Sequence, residues 1–358
     1  MPKLLSIIIP SYNMENFLPY CLDSLLVKRH QNLIEILVVN DGSKDGTLIV
    51  GQKYASALPD LFHVIDKKNG NYGSCINAAL PKATGKYVKV LDADDSFNTT
   101  NFDEFIDFLN ITDADLILSD FEVVDENRIH RNTVHYDFPI KNVMPFIEFC
   151  DNDDFVSAIQ MHAVTYKREL LLKMGYHQTE GISYTDQQWI FTPMICVQSV
   201  AYFDKIVYRY LVGREGQTMD PKVKMRSMEH ARKNSLGLVS DYETYKKNII
   251  NQRVRTYLYS RLAWYIKDIY VFYISRYNKN NATTLREYDQ KLQYLSQEIY
   301  DMIGSKKVSS FYGFAYIDYW RKHQVPTLLV KLLGHTYKSF LNIRARKNSA
   351  NNNLSVGN

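Results

Sequence analysis

The first 120 residues alternate short apolar runs with amphipathic stretches. Runs at 4–9, 34–39, 62–65, 87–91 and 116–118 predict strands. The intervening stretches 15–27, 44–56, 74–83 and 101–109 predict helices. Such alternation predicts an α/β fold: a mostly parallel, Rossmann-like sheet flanked by helices. The run Ile-Glu-Ile-Leu-Val-Val at 34–39 carries one charge and suits a central strand. Sheets of this kind bind ligands outside the carboxyl ends of their strands, so the residues after each strand are where chemistry is expected.

Past about residue 219 the periodicity becomes helical. Val254, Leu258, Leu262, Ile266, Ile269 and Tyr273 recur at helix spacing, and 289–303 and 326–345 predict further helices. Residues 348–358 are polar and low in complexity, which predicts a disordered end.

Composition narrows the class. With 46% hydrophobic and 23% charged residues, the chain has globular proportions and is neither disordered nor fibrous. Cys21, Cys75, Cys150 and Cys196 are scattered without a CxxC pair, which argues against a disulfide framework or zinc site and for a reducing, cytoplasmic setting. The N-terminal apolar run ends at Pro10, shorter than a signal peptide requires, and no stretch has the length of a membrane span. The net charge of +4 is too mild to imply nucleic acid, but it is uneven. Residues 319–358 hold seven Lys/Arg and no acid, so they carry +7 and the remainder −3.

Four strands end in polar loops: Pro10-Ser11-Tyr12-Asn13, Asn40-Asp41-Gly42-Ser43, Asn69-Gly70-Asn71-Tyr72-Gly73-Ser74 and Asp92-Ala93-Asp94-Asp95. Asp92 and Asp94, two positions apart in an extended segment, supply the hard oxygens that Mg²⁺ or Mn²⁺ takes. The alternative is a helix cap, and both hold if Asp95 is the cap. Asp41 can hydrogen-bond a base or ribose, or simply form a turn with Gly42 and Ser43. Tyr12 can stack on a base or pack at the strand end. Gly70 and Gly73 would let backbone approach a diphosphate.

Together these residues resemble glycosyltransferase family 2 of the GT-A fold. The resemblance runs from residue 4 to about 218 and is carried by Ser-Ile-Ile-Ile-Pro-Ser-Tyr-Asn at 6–13, Ile-Leu-Val-Val-Asn-Asp-Gly-Ser-Lys-Asp-Gly-Thr at 36–47, Asn69 through Asn77, and Ala-Thr-Gly-Lys-Tyr-Val-Lys-Val-Leu-Asp-Ala-Asp-Asp at 83–95. It implies an inverting, metal-dependent transferase acting on a nucleotide-sugar, with a UDP-sugar the family's habit. The acceptor would be a glycan or lipid-linked hydroxyl in cell-surface polysaccharide assembly. It also implies that Pro10, Tyr12, Asn13, Asp41, Gly42, Ser43, Asn69, Gly70, Gly73, Asn77, Asp92 and Ala93 line the donor site. Asp94, with Asp92 as a possible second ligand, would hold Mn²⁺ or Mg²⁺.

Downstream, Thr185-Asp186-Gln187-Gln188-Trp189 resembles the family's Glu-Asp pair, which makes Asp186 the catalytic base. A helix-N-terminal acid is the plain alternative. His162 reads as a packed or acceptor-side histidine sooner than a ligand and is not assigned.

Two positions depart from the pattern. Ile76 stands where the family often has Arg before the Asn, which removes a charge near the diphosphate; Lys68, Lys89 or Arg214 are candidates to replace it. After Tyr208-Arg209-Tyr210, the residues Arg214, Gln217 and Thr218 are candidates for a flap, and the third metal ligand is open. The departures, including Thr185 for Glu, leave room for a non-catalytic nucleotide-sugar-binding or scaffolding protein. A nucleotidyltransferase would want a Gly-rich basic loop after the first strand, which Pro10–Asn13 is not.

The domain reading is a catalytic domain at 1–218, with donor and acceptor halves at about 1–120 and 121–218, a helical region at 219–347 and a tail at 348–358. In 326–346, Lys331, His335, Lys338, Asn342 and Arg346 make a basic stripe. It is either a surface helix packed on the catalytic domain or an amphipathic helix on an anionic inner membrane surface. The sequence leaves the oligomeric state open.

Overall fold

The computed structural model describes residues 2–136, 138, 143–148, 150, 159–183, 185–213, 228–249, 251–276, 278–311 and 313–325. The candidates Arg214, Gln217 and Thr218, the helix expected at 326–345 and the tail at 348–358 lie outside them. The chain divides into two compact units, Met1–His230 with Tyr245–Tyr257, and Ala231–Thr244 with Leu258 onward.

The first unit holds a ten-stranded sheet. Its elements are β1 (Leu5–Ser11), α1 (Leu18–Asp23), β2 (Ile34–Asp41), α2 (Thr47–Ala57), β3 (Phe62–Lys67), α3 (Asn71–Ala79), β4 (Tyr87–Val90), β5 (Ser96–Phe97), α4 (Thr99–Ile111), β6 (Leu116–Val124), β7 (His130–Val134), β8 (Met144–Pro145), β9 (Val164–Lys167), α5 (Arg168–Lys173), α6 (Asp186–Phe191) and β10 (Ser199–Leu211). Strand order is β3-β2-β1-β4-β9-β6-β10-β5, with β7 on β6 and β8 on β10. β3, β2, β1 and β4 run parallel, as do β6 and β10, while β9 lies antiparallel between β4 and β6.

All eight residues of β2 are buried, its two acids Glu35 and Asp41 included. The Glu35 carboxylate accepts from the Ser6 hydroxyl and from the Thr84 and Gly85 amides, so the charge is fully engaged inside the sheet. A Cβ on Gly85 would stand 2.5 Å from the Ser6 nitrogen. The Thr-Gly of the fourth motif therefore braces the sheet beneath the site.

Three predicted helices have different bounds. The stretch 15–27 is helical only over α1, because the loop before it is stitched to the loop after β2: Met14 N donates to Thr47 Oγ1 at 2.7 Å and Gly46 N to Glu15 Oε2 at 2.6 Å. α3 starts at Asn71, not Ser74, which puts Gly73 inside a helix. The stretch 289–303 is two helices, because Ser296 is extended and caps the second by accepting from Ile299 N.

The second unit contains residues of α7 (Met228–Tyr245) and α8 (Gln252–Ser275), together with α9 (Lys279–Leu295), α10 (Gln297–Gly304), a small hairpin of β11 (Ser310–Phe311) and β12 (Phe314–Ala315), and α11 (Tyr316–His323). Its buried centre joins Arg321, Asp289 and Tyr270: the guanidinium donates from Nε to Asp289 at 2.8 Å and lies 3.4 Å over the Tyr300 ring. Among the described residues, no helix is long and apolar enough to cross a membrane.

Candidate active site

The parallel register brings the ends of β1, β2 and β3 level, pairing Ser11 with Asn40 and Asp41 with Lys67. Asp41 is buried, and its Oδ1 accepts from Lys67 Nζ at 2.7 Å and Gly70 N at 2.9 Å. Lys67 was not legible as a site residue until the strand register placed it opposite Asp41. Gly42 has φ +69°, and a Cβ there would come 2.9 Å from Asn69 N, so the turn needs glycine. Asn69 Nδ2 donates to the Asp41 carbonyl.

Asn13 and Ser43 clasp the first two loops: Asn13 N donates to Ser43 Oγ, and Lys44 N to Asn13 Oδ1. Pro10 is half-buried within β1, and the Tyr12 ring beyond it is 41% exposed.

β4 delivers the acidic motif. Asp92, Asp94 and Asp95 each offer an oxygen within 4.8 Å of the others. The segment is a turn, Asp95 N donating to the Asp92 carbonyl at 3.0 Å, and not extended as expected. Ala93, Asp94 and Asp95 are buried. Asp95 does not cap a helix; Asn98 caps α4. Asp95 instead accepts from Tyr208 Oη at 2.6 Å and from Leu211 N at 2.7 Å, which ties the motif to β10. Burial and the neighbouring Asp94 and Asp92 charges push its carboxyl well above the usual carboxylate range.

Of the cations considered to replace the missing Arg, Lys89 does not face this cleft. It is buried in β4, with Nζ donating to the His162 and Val164 carbonyls, and burial pushes it down to about 7. His162 is buried and stacked on Tyr210 at 4.2 Å.

Asp186 is the first residue of α6 and is half-buried; burial raises its carboxyl above the ordinary value. Tyr72 is influenced by both Asp186 and the acidic motif. Its hydroxyl donates to Asp92 Oδ1 at 2.9 Å and also feels the Asp186 charge. The base candidate is fixed by a strip at 177–181. Gln178, fully buried, donates from Nε2 to the Thr185 carbonyl at 2.7 Å and bonds Asn77 through both its backbone groups. Gly181 N donates to the Gly70 carbonyl, and Gly73 packs so closely that a Cβ would lie 2.1 Å from the Thr179 oxygen. Gly73 and Asn77 therefore hold the strip. Nothing in the sequence marked Gln178, because its partners are 101 and 7 residues away.

Residues 6–171 match the family model for glycosyl transferase family 2. The match covers just under half of the chain. An uncharacterized glycosyltransferase of Rickettsia prowazekii (strain Madrid E) is 36% identical over 125 residues, which cover 34% of this chain and 38% of that protein. One of Mycoplasma pneumoniae is 37% identical over 102 residues, covering 28% and 34%. The matched stretch thus spans under two fifths of these relatives. Residues 1–349 of TarS from S. aureus, solved in complex with UDP-GlcNAc, share the fold at 17% identity, with a TM-score of 0.67 over 90% of this chain and 88% of that one. The chain has the GT-A type of α/β fold that its motifs implied, with the C-terminal helical region that its periodicity predicted. All four strand-end motifs lie within the matched residues; Asp186 lies beyond them.

Proposed function

We propose that this chain transfers a sugar, with inversion, from a nucleotide-sugar to a hydroxyl of a glycan or lipid-linked acceptor in cell-surface polysaccharide assembly. The observation that carries the reading is the Asp92–Asp95 carboxylate cluster after β4, whose Asp92 accepts from Tyr72, a side chain that also feels the Asp186 charge. A UDP-sugar is the first donor to test, given the UDP-GlcNAc bound by TarS. The donor would lie along the strand ends, its base against Tyr12 and Asp41.

The carboxylates fit a hard divalent cation, since three oxygens lie within 4.8 Å of one another, and Asp94, with Asp92 as a possible second ligand, would hold Mn²⁺ or Mg²⁺. Bound there, the ion would supply Lewis-acid neutralisation of charge on the departing diphosphate. Asp186 accepts the proton of the acceptor hydroxyl as that oxygen bonds to the anomeric carbon and the bond from sugar to diphosphate breaks. Its raised carboxyl pKa, caused by burial, brings the base nearer to neutrality.

The catalytic domain is assigned to 1–218 and the helical region to 219–347. The protein would work in the cytoplasm, with 326–346 contacting the inner face of the membrane. A panel of UDP-, GDP- and dTDP-sugars with Mn²⁺ tests the activity. Asp186→Asn should cut turnover by about 10²–10⁴-fold and leave nucleotide binding in place. Near-normal turnover in that variant would remove the base assignment.

A further inference from the structure

The residues Tyr208-Arg209-Tyr210 lie at the carboxyl end of β10, and the alternation of a strand divides them between its two faces. Arg209 turns to Glu122, its Nε 2.7 Å from the carboxylate. Tyr208 and Tyr210 share the other face, where both rings pack on the buried His162, with centroids at 4.8 and 4.2 Å. β10 runs parallel to β6, and β9 lies antiparallel to both β6 and β4. The carboxyl end of β10 therefore opens on the same edge of the sheet as the acidic motif after β4, the edge where such sheets bind ligands.

Direct bonds fix that end of β10 to the motif. Tyr208 Oη donates to Asp95 Oδ2 at 2.6 Å and accepts from Asp92 N at 3.1 Å, and Leu211 N donates to Asp95 Oδ1 at 2.7 Å. Tyr210 lies between these two anchors in the chain. Its hydroxyl differs from that of Tyr208. The side chain is half-buried, and among the described residues the Tyr210 hydroxyl makes no hydrogen bond. Burial, and after it the charges of Asp95, Asp92, Asp94 and lastly Asp186, push its pKa up, so the phenol stays protonated among the carboxylates.

We propose that Tyr210 is a specificity-determining residue whose hydroxyl hydrogen-bonds a hydroxyl of the sugar carried by the nucleotide donor. A neutral phenol both donates and accepts, which matches a sugar hydroxyl. The smaller influence of Asp186 than of the three motif carboxylates favours the donor's sugar over the acceptor. The stack on His162 holds the ring, so less side-chain freedom is lost when the sugar binds. The proposal deepens the transferase reading and rests on it for the presence of a sugar.

The test is calorimetric titration of the full chain and of Tyr210→Phe, in Mn²⁺, with UDP, GDP and dTDP and with sugar conjugates of each. Phe keeps the stack on His162 and removes only the hydroxyl, and equal melting temperatures check that. The variant should bind the preferred nucleotide-sugar about 2–10-fold more weakly, as expected for one lost neutral hydrogen bond. Its affinity for the free nucleotide should be unchanged, and its preference among sugars on that nucleotide should narrow. An equal loss for nucleotide and nucleotide-sugar would overturn the sugar contact and make Tyr210 a support of the acidic motif. Unchanged affinity for both, with wild-type kcat/KM, would overturn it while leaving the transferase reading intact. A variant that only melts earlier would reduce Tyr210 to packing on His162. A wild type that binds no nucleotide-sugar of the panel would sink the transferase reading, and the role of Tyr210 with it.

Discussion

Burial gives Asp186 two opposed properties at the scale of a single residue. Its carboxyl titrates above the ordinary range, so ionising it costs stability at any pH above that raised value. The unfolded chain has the ordinary Asp pKa of about 3.9, so this cost fades as pH falls from the raised value toward that one and is gone below it. Asp186→Asn should therefore raise the melting temperature at neutral pH, with the gain gone near pH 4, while turnover collapses. In the wild type, kcat/KM should fall on the acid side at a pH above that of an exposed Asp. A melting temperature lower than wild type at neutral pH would make Asp186 a structural residue. Lys67 behaves differently. Removing it with Lys67→Met leaves the buried Asp41 without its partner, which should lower stability by about 1–3 kcal/mol and weaken nucleotide binding, read by melting and by UDP titration.

Elements explain what the sequence could not place. The strand ends were legible because an apolar run that stops at Asn40-Asp41 or Leu91-Asp92 marks both an element and its polar exit. The start of α3 was not, because Gly73 reads as a loop residue; its close contact with Thr179 shows a helix turn pressed against a distant strip. Asp95 reads as a cap from its position before a helix, yet Tyr208 and Leu211 claim it from more than 100 residues away. The strip makes a prediction of its own. Asn77→Ala removes bonds to Gln178 while touching no proposed ligand of the metal. It should lower kcat by slackening the Thr185–Asp186 junction and leave UDP affinity within about 3-fold; a loss confined to UDP affinity would make Asn77 a donor contact. Gly73→Ala should be more severe, since its Cβ would overlap the Thr179 oxygen at 2.1 Å.

At the scale of the whole molecule, charge separates along the chain. Residues 319–358 carry +7 against −3 for the rest, and the proposed membrane contact rests on that asymmetry. Deleting 326–358 should abolish binding to anionic liposomes at low salt and leave donor binding unchanged; liposome binding by the shortened chain would place any contact elsewhere. The fold class was legible because alternating strands and helices constrain topology tightly. The antiparallel insertion of β9 between β4 and β6 was not, since it joins residues far apart in sequence.

The central claim is that the carboxylates after β4 and Asp186 form one transferase site. Its most direct test is sugar release and transfer from UDP-sugars by the wild type, Asp94→Ala and Asp186→Asn, alongside UDP binding with and without Mn²⁺. Turnover is expected in the wild type only, with Mn²⁺-dependent UDP binding lost in Asp94→Ala and kept in Asp186→Asn. Equal Mn²⁺-dependent binding and turnover in all three proteins would contradict it.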